Sequence, residues 1–301
     1  MKLRIFTNLK AKNHILTGDP MKIRVLLLLL FSRFLLCAQE NCPDFLFVNH
    51  LVNLRDYRLA LEVLKEKNSS CGLTDSVNFL KAVCHYNLKE FEHSTSYFSK
   101  IGRNSNLYNA SVFYSSDNYI TLKKYDQSLL LLENYTSNSL KMNELARFEL
   151  AGISLLERNP AGFEKYRQEF TGLHEDFSNE EKILTECHTR FLEFKPKSKL
   201  AAGVLSALIP GAGKAYSGKW GEGLSAFFIV GTLGLVTAEN YFKRGIDNPK
   251  TIIAGGFFTV FYVGNIWGSV LSIERYRNDF YESQDNIIRA SLHIPLSRIF
   301  R

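Results

Sequence analysis

Along residues 41–176 the large apolar positions recur every 34 residues. Phe45, Phe79 and Phe113 share one phase, as do Leu54, Leu88 and Leu122, then Tyr57, Phe91 and Tyr125, then Leu64, Phe98 and Leu132. A small residue holds a fifth column at Ala60, Ser94 and Ser128. Leu156, Gly162 and Tyr166 extend the register weakly into a fourth unit, with Asn159 where its aromatic belongs. Within each unit the aromatic, the small residue three on and the large apolar residue seven on lie on one helical face. A period of this length predicts helix–turn–helix repeats, the small position letting the neighbouring helix approach. Cap signals agree: Asp75 before a helical run, Asn159 with Pro160 at a first helical turn, and Ser178 with Glu181 ahead of a charged helix at about 179–194. That last helix suits the polar end of a stack.

From Leu200 the pattern changes to long uncharged stretches. Residues 200–213 form the first, broken by Pro210-Gly211 and too short for a full crossing, so an interfacial or re-entrant helix is predicted. Spans are predicted at about 220–242, with Trp220, Tyr241 and Phe242 at headgroup level, and at 251–273, which is uncharged throughout. Gly231, Gly234 and Ala238 on one span, and Gly256, Gly264 and Gly268 on the other, form small-residue strips. They suit packing as a hairpin or against a second copy of the chain. Asn265 beside that face reads as interhelical glue. A short polar tail would follow.

Met21 opens a third kind of segment: Lys22 and Arg24, an apolar run from Val25 to Leu36 interrupted by Ser32 and Arg33, then Ala38. This is the layout of a secretory signal peptide, with residues 1–20 as an upstream extension. An uncleaved anchor is the alternative, and Arg33 inside the apolar run counts against it. The expected organisation is therefore 1–39 extension and signal, 40–195 repeats with a capping helix, and 196–301 membrane domain.

Composition sharpens this picture. With 46% hydrophobic and 22% charged residues, the chain is neither disordered nor wholly membrane-buried. Its net charge of +7 is unevenly spread: residues 1–39 carry +6, residues 40–199 carry −2 and residues 200–301 carry +3. The basic excess flanks apolar stretches, so it is not a nucleic-acid footprint. Cys42, Cys71, Cys84 and Cys187 follow no zinc-binding spacing; Cys71 and Cys84 can be read as a pair or as buried thiols. The histidines form no HExxH and no i,i+4 ligand pair, and Cys187-His188 beside Glu186 is the one tight cluster. Pro210–Gly223 fails both the phosphate-loop and the dinucleotide patterns, with Leu208, Ala215 and Tyr216 at required positions. No catalytic, cofactor or metal constellation emerges.

Two resemblances follow from these residues. The aromatic, small and large apolar columns of residues 41–176 resemble the second helix of the tetratricopeptide repeat family. The first helices lack its Trp, the Leu column lacks the following Gly, and the closing Pro is absent. The resemblance implies an all-α solenoid whose first helices line a partner groove: Phe45, Asn49 and Asn53, then Phe79, Val83 and Asn87, then Phe113, Asp117 and Thr121. The second resemblance is to small two-span bacterial membrane domains with a Pro-Gly-x-Gly-x-x-Tyr-x-Gly loop leading into the bilayer, matched by Pro210, Gly211, Gly213, Tyr216 and Gly218 and followed by Trp220. Together these imply an all-α chain, a repeat solenoid plus a C-terminal transmembrane hairpin, in a bacterial inner membrane with the repeats in the periplasm. The expected role is a non-enzymatic scaffold or assembly factor that binds protein partners, without cofactor or nucleic acid. The alternative is a subunit of an oligomeric transport complex, with Asn265, Glu239 and Asn240 along a polar path.

Overall fold

A computed structural model describes residues 44–66 and 73–300. The signal segment, Cys42 and Cys71 lie outside the described residues. Every regular element among those described is a helix. Four pairs come first: α1 (Phe45–Asn53) with α2 (Tyr57–Glu66), α3 (Thr74–Asn87) with α4 (Phe91–Phe98), α5 (Tyr108–Thr121) with α6 (Tyr125–Glu133), and α7 (Leu140–Leu156) with α8 (Pro160–Arg167). Then come α9 (Ser178–Glu193), α10 (Lys199–Leu208), the short α11 (Ala212–Tyr216), α12 (Trp220–Arg244) and the 51-residue α13 (Pro249–Ile299).

The pairs turn in one way. Arg55, Lys89, Lys123 and Arg158 each take a positive φ near 60°. Around Arg55 the turn closes with Arg55 N–H donating to Val52 and Asp56 N–H to Leu51; Lys89, Lys123 and Arg158 repeat both bonds one unit further on. This closure satisfies carbonyls that a helix end leaves unpaired. The first three turns are 34 residues apart and the fourth 35, and that extra residue puts Asn159 in the aromatic's place. The small column is packed against its partner helix: Ala60, Ser94 and Ser128 are fully buried, Ser94 Oγ donates to the Ala82 carbonyl, and Ser128 Oγ donates to that of Ser116.

Local capping departs from expectation at two places. Asp75 lies inside the first turn of α3, after Leu73. Ser178 is already helical, with Phe177 before it, and Glu181 is buried rather than closing a capping box. Asn159 does cap α8, its Oδ1 accepting from Gly162 N–H at 2.9 Å.

The chain divides into two compact units, between Leu107 and Tyr108. In the first, Val48, Leu51, Ala60, Leu61, Leu64, Val77 and Cys84 form the core. Cys84 is a free thiol, and burial pushes its pKa up to about 12, leaving it unreactive at neutral pH. In the second unit Phe113, Phe148, Phe163, Phe177 and Leu184 share one core with Ile288, Leu292 and Leu296 of α13. The expected short polar tail after 273 is therefore helix, and its apolar face is core. This is why the chain does not divide near 196: α13 runs alongside α12 in its first half and packs on α5, α7 and α9 in its second.

Candidate functional site

Two places gather the residues singled out in the sequence: the seat of the C-terminal helix on α5 and α7, and the loop before α12.

The seat is built from glycine upward. A Cβ on Gly152 would lie 2.5 Å from a Leu292 methyl, so only glycine lets α13 approach α7 this closely. Gln284, Ile288, Ser291, Leu292, Pro295 and Leu296 are buried at helical spacing along one face of α13. Burying the three aliphatic side chains supplies about 1.5–3 kcal/mol each. Phe113 is fully buried, its ring stacked on Phe300 at 5.7 Å. Asp117 is 3.4 Å from Nδ1 of His293, while Thr121 stays exposed at the end of α5. The third unit's expected groove positions thus meet the chain's own C-terminal segment.

Two guanidiniums fix the register of this helix. Arg289 donates to the Ile120 carbonyl at 2.7 Å, in the last turn of α5, and to the Tyr125 hydroxyl. Arg158 donates to the Leu155 and Leu156 carbonyls at the end of α7 and pairs with Asp285 at 2.8 Å. Its guanidinium lies 4.8 and 4.7 Å from the rings of Phe191 and Tyr281. A positive charge at a helix C-terminus meets the negative end of the macrodipole. Arg298 closes the far end on the Asp176 carbonyl and Glu180.

Buried carboxyl groups lie beneath. Glu149 is enclosed and accepts from Ser116 Oγ at 2.6 Å; burial holds its pKa well above the usual carboxylate range. Glu181 is raised to about 7, first by burial and then by neighbouring Glu144. Glu144 itself accepts from Thr171 N–H and Oγ1 and lies 3.2 Å from His174. Contact with Asp117 raises the His293 pKa, whereas burial lowers that of His188, which faces Glu164 at 3.3 Å. Glu186 pairs with Arg190 instead, so the Cys187–His188–Glu186 run does not converge. Among the described residues no three His, Cys, Asp or Glu side chains come together as a metal site.

The first unit's groove positions differ among themselves. Phe45 packs against its core and Phe79 meets Phe98 edge to face at 5.6 Å. Val83 is half-buried, and its carbonyl accepts from Asn87 Nδ2. Asn49, Asn53 and Asn87 are exposed.

The loop before α12 is a hairpin dipping alongside α13. Lys199 pairs with Glu274, Gly203 faces Val270, and Tyr262 Oη donates to the Ala207 carbonyl, so α10 runs antiparallel to the 262–274 stretch. The chain then turns at Pro210-Gly211. Gly211 has φ +83°, and a Cβ there would sit 1.9 Å from the Gly223 carbonyl oxygen; one on Gly213 would sit 2.1 Å from that of Ala202. Asn265 accepts from Gly211 N–H at 3.0 Å and donates to the Ser206 carbonyl at 3.2 Å. Ser206 Oγ meets Ser269 Oγ and accepts from Gly213 N–H. Backbone groups freed by the break are thereby satisfied inside the protein. Gly218 has φ +94°, and Lys197 bonds the Tyr216 carbonyl and lies over that ring and the ring of Tyr276. Trp220 is exposed.

Searched against family models, curated proteins and solved structures, the chain matches none.

The small-residue strips are only partly used in the hairpin. A Cβ on Gly234 would meet the Phe258 ring at 3.2 Å, and Gly268 lies under the Lys214 side chain. Gly231, Gly256 and Gly264 face open space. Ala238 lines a shallow groove with Phe258 and Thr251. The close contacts come from residues the strips omitted: Gly255 against Thr237, and Gly203 against Val270. Of the buried polar trio Ser206, Asn265 and Ser269, only Asn265 stood out in the sequence, as a polar position inside an apolar run.

Two helices, α12 and α13, are long and apolar enough to cross a membrane, and their apolar windows are largely unburied.

Proposed function

We propose that this chain is a membrane-anchored scaffold, a tetratricopeptide-like helical stack held at the bilayer surface by a two-span hairpin and used to bind protein partners. The observation that carries this reading is the continuity of α13, whose first half has the length and apolar surface of a span and whose second half lies in the core of the third and fourth helix pairs. Such a helix fixes those pairs to the membrane, as a flexible linker would not.

The re-entrant hairpin of α10 and α11 and the two spans together favour an even number of crossings. Residues 284–299 and 108–193 share one core, and so belong on the same side. The 245–248 connection then lies on the other. The leader-like segment at Met21 supports the extracytoplasmic face for the stack, in a bacterial inner membrane. The partner surface on this reading is the exposed Asn49 and Asn53 of α1 with Asn87 of α3, since Phe113 of the third unit lies against Phe300.

A pore-forming subunit is less well supported. Both ends of the Asn265 amide hold the helix break, Glu239 pairs with Lys243 at 2.7 Å, and Asn240 donates to its own helix. Reporter fusions at 245 and at the C-terminus test the topology, with activity expected on opposite sides; the same side would contradict it. Photo-crosslinkers at Asn49 and Asn53 in intact membranes should trap a discrete partner, lost in Asn49→Ala with Asn87→Ala. Unchanged trapping would count against this surface.

A further inference from the structure

We infer that the slot between α12 and α13, beneath the α11 turn, holds an acyl chain of an anionic phospholipid whose phosphate pairs with Lys214. This rests on the membrane reading above.

The slot is about 670 Å³. Lys214, Glu222 and Ser225 line one part, while Ile229, Val260 and Phe261 make an apolar wall. Gly221 and Gly264 also border it, and a side chain on either would meet nothing within 4 Å. The space is therefore open where two packed helices would otherwise close it.

Charge decides the occupant. Lys214 lies along Gly268, five residues inside Ile273, the end of the uncharged stretch, or roughly 8 Å at 1.5 Å per residue. Its ammonium has no carboxylate within ion-pair distance among the described residues, for Glu222 pairs with Lys219 at 3.9 Å. A cation at that depth costs about 2.5–3.5 kcal/mol when unpaired at the bilayer centre, and somewhat less nearer the headgroups. The uncharged stretch of a second copy would have no acid to offer it. Residues 251–273 contain none, and Glu239 is held by Lys243. The Asn265 side chain accepts from Gly211 N–H and donates one N–H to the Ser206 carbonyl, so it is held by the helix break. A lipid phosphate supplies the missing anion and its acyl chain covers the apolar wall, each matching what lines that part of the slot.

The test uses the full-length protein. It is reconstituted into bilayer discs of phosphatidylcholine alone or with one-fifth phosphatidylglycerol, then released and weighed by native mass spectrometry. Wild type should retain phosphatidylglycerol in preference to phosphatidylcholine by about fivefold, the scale of one lysine at an anionic surface. Lys214→Gln should abolish the preference and Lys214→Arg keep it. Gly264→Leu should lower retention of both lipids by filling the slot. Equal retention of the two lipids by wild type overturns the inference even if a variant fails to fold, as does an unchanged preference in a folded Lys214→Gln. A dimer that excludes lipid from the slot overturns it too. Failure to enter the discs at all would overturn the membrane reading instead.

Discussion

The helix pairs and the hairpin are built with opposite polarity. In the pairs the fully buried side chains include Phe98, Phe113, Phe148, Phe163 and Phe177, and the few buried charged residues, such as Glu149 and Glu181, lie beneath them. In the hairpin Phe228, Leu235, Val260 and Trp267 are each more than 60% exposed, while Ser206, Asn265 and Ser269 are buried. On the proposed membrane reading one rule produces both: side chains resembling the solvent face it, and backbone groups must be paired wherever water is absent. The contrast teaches that the two halves of α13 answer to different surroundings, with the change near Ile273 and Glu274.

The largest effect is expected at the helix break. Gly213→Val would force a Cβ against the Ala202 carbonyl and the Ser206 and Ser269 side chains, with a loss above about 3 kcal/mol, read as collapse of the melting transition in detergent. A near-wild-type melt would mean the hairpin is not packed through this loop. Leu292→Ala should cost about 2–5 kcal/mol and release the C-terminal segment to proteolysis, because Gly152 opposite cannot fill the gap. If the segment stays protected, the shared core is wrong.

A milder change separates the two polarities. Asn265→Leu leaves Gly211 N–H without its acceptor and should destabilise the hairpin by about 1–3 kcal/mol despite raising its hydrophobicity. A gain in stability would contradict the inside-out arrangement.

The pH response belongs to the pairs. Glu181 has a folded pKa of about 7, above its ordinary value near 4.5, so its contribution is full below about 4.5 and lost as pH rises through 7. His293, also raised, adds in the same direction across its titration; His188, lowered, opposes both as pH falls. Melting temperature should fall between pH 5.5 and 8, and Glu181→Gln should flatten that slope. An unchanged slope in the variant would remove Glu181 as the cause. Smallest of all, Lys123→Gly relieves a left-handed backbone and should raise stability by up to about 1 kcal/mol, visible as a small rise in melting temperature.

The 34-residue period was readable because its columns do structural work that only size and shape can do. Ala60, Ser94 and Ser128 have no room for more, and Leu64, Phe98 and Leu132 fill the space beside them. The broken helix at Pro210-Gly211 was readable for a similar reason, since its glycines are demanded by backbone contact. The docking of α13 was not. Ile288, Leu292 and Leu296 follow helical spacing, but Arg289 and His293 stand between them and Arg298 follows. Those charges look solvated until the carbonyl of Ile120, the carboxylate of Asp117 and Glu180 are placed opposite. The glycine strips are only partly used within the hairpin, because spacing names a face but not what lies against it. The inward face of α13 is the one carrying Asn265, Ser269 and Ser272.

The most direct test of the account is a crosslink between α7 and α13 in the membrane-embedded, full-length protein. Gly152→Cys with Leu292→Cys places two thiols where Leu292 now fills the hollow over Gly152. The account predicts rapid intramolecular disulfide formation on mild oxidation, with neither single variant crosslinking. Two thiols that stay freely modifiable by a maleimide under the same oxidation would show that the C-terminal helix does not lie in the core of the pairs, and the shared-helix anchor would fall with it.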